Sequence, residues 1–230
     1  IVYRNLELVF GNKLSDNDKH KIMINSYKLL IINALIAIHQ RFFINNNYLL
    51  NFYSINFNNN FKNKKIIFVM MHYGIFYDFT TFFKINGKMI CNFKMHNKFA
   101  KELIWSSNNF KNKIIGVNVG NLKFYFNENK HMYLFTDQKG SRYKEDILFL
   151  NNKCKFHDYP INIHKVTHRS ISIIYCHYQN YKIKMNIIPI NINNKTKKEI
   201  VQEIADNFTN IILKNPEQYM WAHNRFNLAI

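Results

Sequence analysis

Proline, glycine and cysteine are scarce in this chain: 3 Pro, 6 Gly and 3 Cys among 230 residues. So little Pro and Gly excludes collagen-like and other Pro/Gly-rich chains. The cysteines (Cys91, Cys154 and Cys176) are odd in number, widely spaced and without a C-x-x-C pair. They offer no disulfide framework or zinc ribbon, and they suit a reducing compartment. Acidic residues are also few, 14 Asp and Glu against 32 Lys and Arg, for a formal net charge of +18. Alanine (6) and arginine (5) are depleted, whereas asparagine (37) and isoleucine (33) are inflated, the signature of A/T-rich codons. That bias accounts for part of the charge. The rest attracts polyanions: nucleic acid, anionic lipid or an acidic carrier. No apolar run is long enough to span a bilayer; the longest, 29–38, is interrupted by Asn33. The chain begins at Ile1 rather than Met and shows no signal peptide. A natural N-terminus that could carry a membrane anchor is therefore expected to precede it.

What is present demands burial. A hydrophobic fraction of 47% and an aromatic fraction of 16% exclude a disordered chain. The length predicts a single domain, 1–230, with a core that needs no staples. Ser15 followed by Asp16 and Asp18 reads as a helix start, and the helix is predicted to run to about residue 39. Its second half is apolar almost all round, so it is expected either to be deeply buried or to rest on a membrane. An Asn-rich stretch, 45–63, separates it from a continuous apolar run at 66–71 that reads as a buried strand. Further strands are predicted at 113–119, 132–136, 170–178 and 182–190, and helices at 98–106 and 198–213. Asn215, Pro216 and Glu217 read as the start of a short final helix. The mixture indicates an α/β domain with a central mixed sheet flanked by helices.

Three blocks could carry chemistry. In the first, His72 sits where the apolar strand ends, followed by Gly74 and an aromatic stretch that includes Tyr77 and Asp78. A strand end presents a side chain rigidly, and an imidazole there could take a proton from a hydroxyl. The second is Asp137, Gln138, Lys139, Gly140 and Arg142 after another apolar strand. Asp137 could orient a base or bind a hydroxyl, and Lys139 and Arg142 could pair with phosphate. In the third, a helix through 215–225 would bring Gln218, Trp221 and Arg225 close to one face, with Trp221 as a packing anchor.

Together these blocks resemble the late acyltransferases of lipid A biosynthesis, of the lauroyl/myristoyl type. The likeness opens at Arg4-Asn5-Leu6-Glu7-Leu8-Val9-Phe10 and Leu14-Ser15. It continues through His72-x-Gly74 and Asp137-Gln138, and closes at Pro216-Glu217-Gln218-Tyr219-Met220-Trp221 with Arg225. The resemblance implies a fold similar to glycerolipid acyltransferases. It also implies transfer of a fatty acyl chain from acyl carrier protein to a hydroxyl of a phosphorylated lipid A precursor, at the cytoplasmic face of the bacterial inner membrane. Relatives act on other glycolipids such as phosphatidylinositol mannosides. On this reading His72 is the general base, and backbone N–H groups near Gly74 and at the following helix start stabilise the oxyanion. Lys139, Arg142 and Arg225 hold acceptor phosphates, and no metal or organic cofactor is needed.

The chain departs from the family's pattern twice. The family carries His, four intervening residues and a carboxylate; here that position is Tyr77, and Asp78 follows one residue later. On a helix the offset is about 100° of rotation. Either a distortion returns Asp78, or Tyr77 orients the base, or the dyad is broken and the chain binds lipid without turnover. The family's arginine after the next helix is absent from 104–109, where Lys94, His96 or Lys98 could substitute. Two other classes compete. His164 and His168, spaced i,i+4 with His157 nearby, could bind zinc, although no acidic base lies between them and the region reads as partly extended. The charge with interleaved aromatics at 123–126 could bind nucleic acid, but no recognised motif accompanies it and no nucleic-acid partner is expected.

Overall fold

The computed structural model describes residues 1–43, 53–55, 65–75, 89–91, 114–116, 131–137, 144–180 and 182–226. Helix α1 (Val2–Phe10) leads through a short 3-10 turn into α2 (Asp16–Phe43), whose first turn is capped by the Ser15 hydroxyl accepting from the Asp18 N–H at 3.1 Å. Seven strands then build one sheet: β1 (Tyr53–Ile55), β2 (Ile66–Met70), β3 (Met89–Cys91), β4 (Ile114–Gly116), β5 (Met132–Phe135), β8 (Ser170–Gln179) and β9 (Lys182–Pro189). Between β5 and β8 the chain inserts a separate antiparallel hairpin, β6 (Lys144–Phe149) and β7 (Asn152–His157), followed by α3 (Tyr159–Thr167). Helix α4 (Lys197–Lys214) closes the described fold.

The sheet order is β1-β9-β8-β2-β5-β3-β4, and only the β8–β9 pair is antiparallel. This is the expected mixed sheet. Strand β2 is buried along its whole length, as an apolar run with parallel neighbours on both sides requires. Its alternate residues feed two cores. Ile67, Val69, Met71 and Tyr73 face the α4 side, with Ile204, Phe208 and Ile212. Ile66, Phe68 and Met70 face Leu29 of α2.

Helix α4 begins with a reciprocal capping box between Thr196 and Glu199, which satisfies two otherwise orphaned N–H groups. The end of the chain departs from expectation. Pro216–Gln218 forms one 3-10 turn, and Tyr219 is extended at φ −89°, ψ 145°. No helix follows, because residues 218–220 pair with the end of β2 instead. The 164–168 region is also corrected: it is helical through Thr167, with His168 as the left-handed cap, and not extended. The predicted helix at 98–106 lies outside the described residues.

Helix α2 has one buried and one exposed face over its described length. Ile22, Ser26, Leu29 and Asn33 are buried at helical spacing, whereas Ile24, Tyr27, Ile31 and Leu35 remain about half exposed. Among the described residues no helix is long and apolar enough to cross a membrane.

Candidate active site

Parallel pairing decides what meets at the sheet edge. In the β2–β5 register Met70 lies opposite Phe135, and the Thr136 N–H extends the ladder to the Met70 carbonyl at 3.1 Å. Two residues beyond that pair on each strand come His72 and Asp137. Both leave the carboxyl ends of adjacent parallel strands, where open α/β sheets gather their ligands. His72 Nδ1 donates to Asp137 Oδ1 at 2.8 Å, and the His72 backbone N–H donates to Oδ2 at 2.9 Å. Both side chains are buried. The imidazole lies against the Phe135 ring, centroids 4.4 Å apart.

Burial pushes the Asp137 carboxyl up. The His72 charge, its two hydrogen bonds and the Arg225 guanidinium outweigh that, and the group is held below the ordinary carboxylate range. Burial raises the Tyr219 phenol well above its usual value, and the neighbouring Asp137 carboxylate adds to this. Asp137 is therefore ionised, and Tyr219 is a neutral phenol beside it.

The closing block is a strap across the end of β2. Tyr73 bridges Tyr219 in antiparallel fashion, the Gly74 N–H donates to Gln218 O at 2.8 Å, and the Met220 N–H donates to His72 O at 2.9 Å. Three further residues tie down the strap and the Gly74 turn. Asn5 Nδ2 donates to Trp221 O (2.7 Å) and His223 O (2.9 Å), Ser26 Oγ donates to Tyr219 O (2.9 Å), and Asn33 Nδ2 donates to Gly74 O (2.8 Å). The Gln218 carboxamide completes the seam by pairing with both backbone groups of Tyr178. The three blocks singled out in the sequence thus converge on one sheet edge.

Several assignments change. Oxyanion donors were expected near Gly74 and at the following helix start; the Gly74 N–H is taken by Gln218 and those of His72 and Tyr73 by Asp137 and Met71, and residues 76–88 lie outside the described residues. What Gly74 provides is room: it has φ +61°, and a Cβ there would meet Cys176 O at 1.6 Å. Arg225 was expected to hold phosphate. It is buried over the Phe156 ring, 4.3 Å from the centroid, and donates to Lys155 O at 2.7 Å. Gln218, Trp221 and Arg225 share no helix face. Trp221 is a packing anchor, 1% exposed, with its indole N–H on Pro216 O at 2.7 Å. Tyr77, Asp78, Gln138, Lys139 and Arg142 lie outside the described residues, as do Lys94, His96, Lys98 and 104–109.

Ser26 escaped sequence reasoning, Asn5 was named only within the opening block of the likeness with no role given, and Asn33 stood out only as the polar interruption of an apolar run. In the zinc candidate, His164 Nδ1 donates to Arg169 O at 2.7 Å, and His168 occupies the left-handed cap at φ 55°. The two imidazoles are thus not successive rungs of one helix, and among the described residues no group of three ligating side chains converges.

A family model described as bacterial lipid A biosynthesis acyltransferase matches residues 1–227. No curated protein matches the chain.

Proposed function

The chain belongs to the bacterial lipid A biosynthesis acyltransferase family, and on that premise we propose that it moves a fatty acyl chain from acyl carrier protein to a hydroxyl of a phosphorylated lipid A precursor. The observation that carries the reading is the buried His72–Asp137 pair at the carboxyl edge of β2 and β5. With Nδ1 held by Asp137, Nε2 is the nitrogen we assign as base. It accepts the acceptor hydroxyl's proton as that oxygen attacks the thioester carbonyl. When the tetrahedral intermediate collapses, the carrier's sulfur leaves and takes the proton from Nε2. Asp137 fixes the ring's orientation and stabilises the imidazolium between the two steps. General-base help of this kind contributes about 10²–10⁴-fold. We assign Lys139 and Arg142 to the acceptor phosphates, and Tyr77, Asp78 and Gln138 to neighbouring substrate contacts.

We further propose that the reaction takes place at the cytoplasmic face of the inner membrane. Supporting this, the exposed Ile24, Tyr27, Ile31 and Leu35 stripe of α2 is flanked by Lys21 and Lys28, an apolar and basic surface suited to anionic lipid. Purified protein should transfer a radiolabelled acyl group from acyl carrier protein to a lipid A precursor, and His72→Ala should abolish it. Liposome binding without any transfer would overturn the catalytic assignment in favour of a lipid-binding role.

A further inference from the structure

Tyr73 packs on the same side of the sheet as Val69 and Met71, with Ile211 and Ile212 of α4 in the same core. There it walls a cleft of about 370 Å³ between the β8–β9 pair and the second half of α4. That volume lies at the small end of the range ligand clefts occupy, roughly 300–1,000 Å³. Lys184 enters from β9 and Lys214 from α4, and both are exposed. Among the described residues neither forms an ion pair, and no carboxylate lines the cleft. Asn186, Asn207 and Asn210 add carboxamides that can donate and accept, and Tyr175 adds an aromatic face.

We propose that this cleft is a second binding site, for a phosphate monoester carried on a small hydroxyl-rich ring. The two ammonium groups suit the phosphate. The carboxamides suit ring hydroxyls, which both donate and accept, and the Tyr175 ring suits a carbohydrate's apolar face. The cleft is built from the strap's own supports. Tyr73 and Asn215 line it, and His177 stands between it and the Gln218 side chain at 3.4 Å. A bound ligand would therefore brace the segment that fixes the His72 backbone. The site does not depend on the acyl-transfer reading, because binding is measured directly.

The experiment uses the full chain and two probes that share this chemistry. Glucose 1-phosphate is titrated in solution, and phosphatidylcholine vesicles carrying phosphatidylinositol monophosphate are tested by co-sedimentation. Each is compared with a Lys184→Glu/Lys214→Glu variant, and with a Lys153→Glu/Lys165→Glu control of equal charge change on exposed positions. We expect saturable binding in at least one arm, weakened about tenfold or more by the cleft variant and less than about twofold by the control. The arm that responds identifies the source as soluble or lipid-borne. No saturable binding in either arm, or equal weakening by both variants, overturns the site. A readout free of mutation is the His177 imidazole. Burial lowers its pKa and the Lys184 charge adds to this, while a hydrogen bond with Gln179 and the Glu217 charge oppose them. An anion lodged beside Lys184 and Lys214 must raise it. An unchanged His177 titration at saturation also overturns the proposal.

Discussion

Two histidines in this protein have their Nδ1 hydrogen-bonded at nearly the same length, and they differ in everything else. His72 meets the Asp137 carboxylate at 2.8 Å, and His164 meets the Arg169 carbonyl at 2.7 Å. The first lies buried at the carboxyl edge of two parallel strands, with its backbone N–H and C=O both fixed by partners distant in sequence. The second lies half-buried near the end of a nine-residue helix, bonded to a neighbour five residues away. Fixing a ring's tautomer is therefore cheap and local. Setting a full negative charge behind it in a buried edge needs long-range assembly, and that is what the proposed base has and His164 lacks.

Deleting the rings tests this contrast most severely. His72→Ala should lower acyl transfer by at least about 10³-fold, the loss expected when a general base disappears. His164→Ala should stay within about twofold, since it neither touches the sheet edge nor carries a paired carboxylate. Next comes the charge itself. Asp137→Asn keeps the shape but offers no anion to Nδ1, and should cost about 10²–10⁴-fold in turnover with little change in folding cooperativity. Asp78→Asn should leave more than about half the activity, because Asp137 already fills the position an orienting carboxylate would take. Full activity in Asp137→Asn together with its loss in Asp78→Asn would reverse the assignment.

The same pair predicts a pH dependence of stability. The folded carboxyl of Asp137 titrates below its unfolded value of about 3.9. The stability it contributes is complete above that value and disappears as pH falls through the folded pKa. Thermal unfolding from pH 6 down to about pH 2 should therefore show an acid limb that is shallower in Asp137→Asn. Gly74→Ala reaches the site through the backbone alone. The positive φ and the contact at Cys176 O should together cost at least about 2 kcal/mol, a fall of roughly 4–8 °C in Tm. An alanine variant that melts like the parent would show that the strap does not need the close approach.

Much of this edge could be read from the sequence, because it was written in strand ends. The apolar runs before His72 and Asp137 predicted strands, and both residues stand two positions past the last ladder pair. Parallel pairing of those two strands was not legible, since side-chain pattern gives a strand's faces but not its neighbour. So Asp78, near in sequence, and Asp137, after another strand, both stood as partners for the base, and only the β2–β5 pairing sets Asp137 against His72. The closing block misled for a related reason. Asn-Pro-Glu is a good helix start, yet β pairing with Tyr73 captures the chain after one turn. Arg225 misled differently: a basic residue late in a +18 chain reads as a phosphate ligand, and only the Phe156 ring above the guanidinium shows it to be interior. On the proposed reading, with Asp137 as the orienting carboxylate, Tyr77 has no orienting role to fill.

The smallest expected effect tests the other half of the comparison. His164→Gln removes the ring and leaves a carboxamide that can still reach toward Arg169 O from the same helix position. Loss of one partly exposed hydrogen bond costs about 0.5–1.5 kcal/mol when nothing replaces it. The alanine variant should then melt about 1–6 °C below the parent, and the glutamine variant should recover part of that difference. Zinc should raise the Tm of neither variant nor parent, because a ligand stabilises only what it binds in the folded state. His168 sits in the left-handed cap, and its φ of 55° turns it out of the helical repeat that a two-histidine site would use. A zinc-dependent rise in the parent that vanishes in His164→Gln would make that imidazole a ligand, and would place a second centre of chemistry on the end of α3.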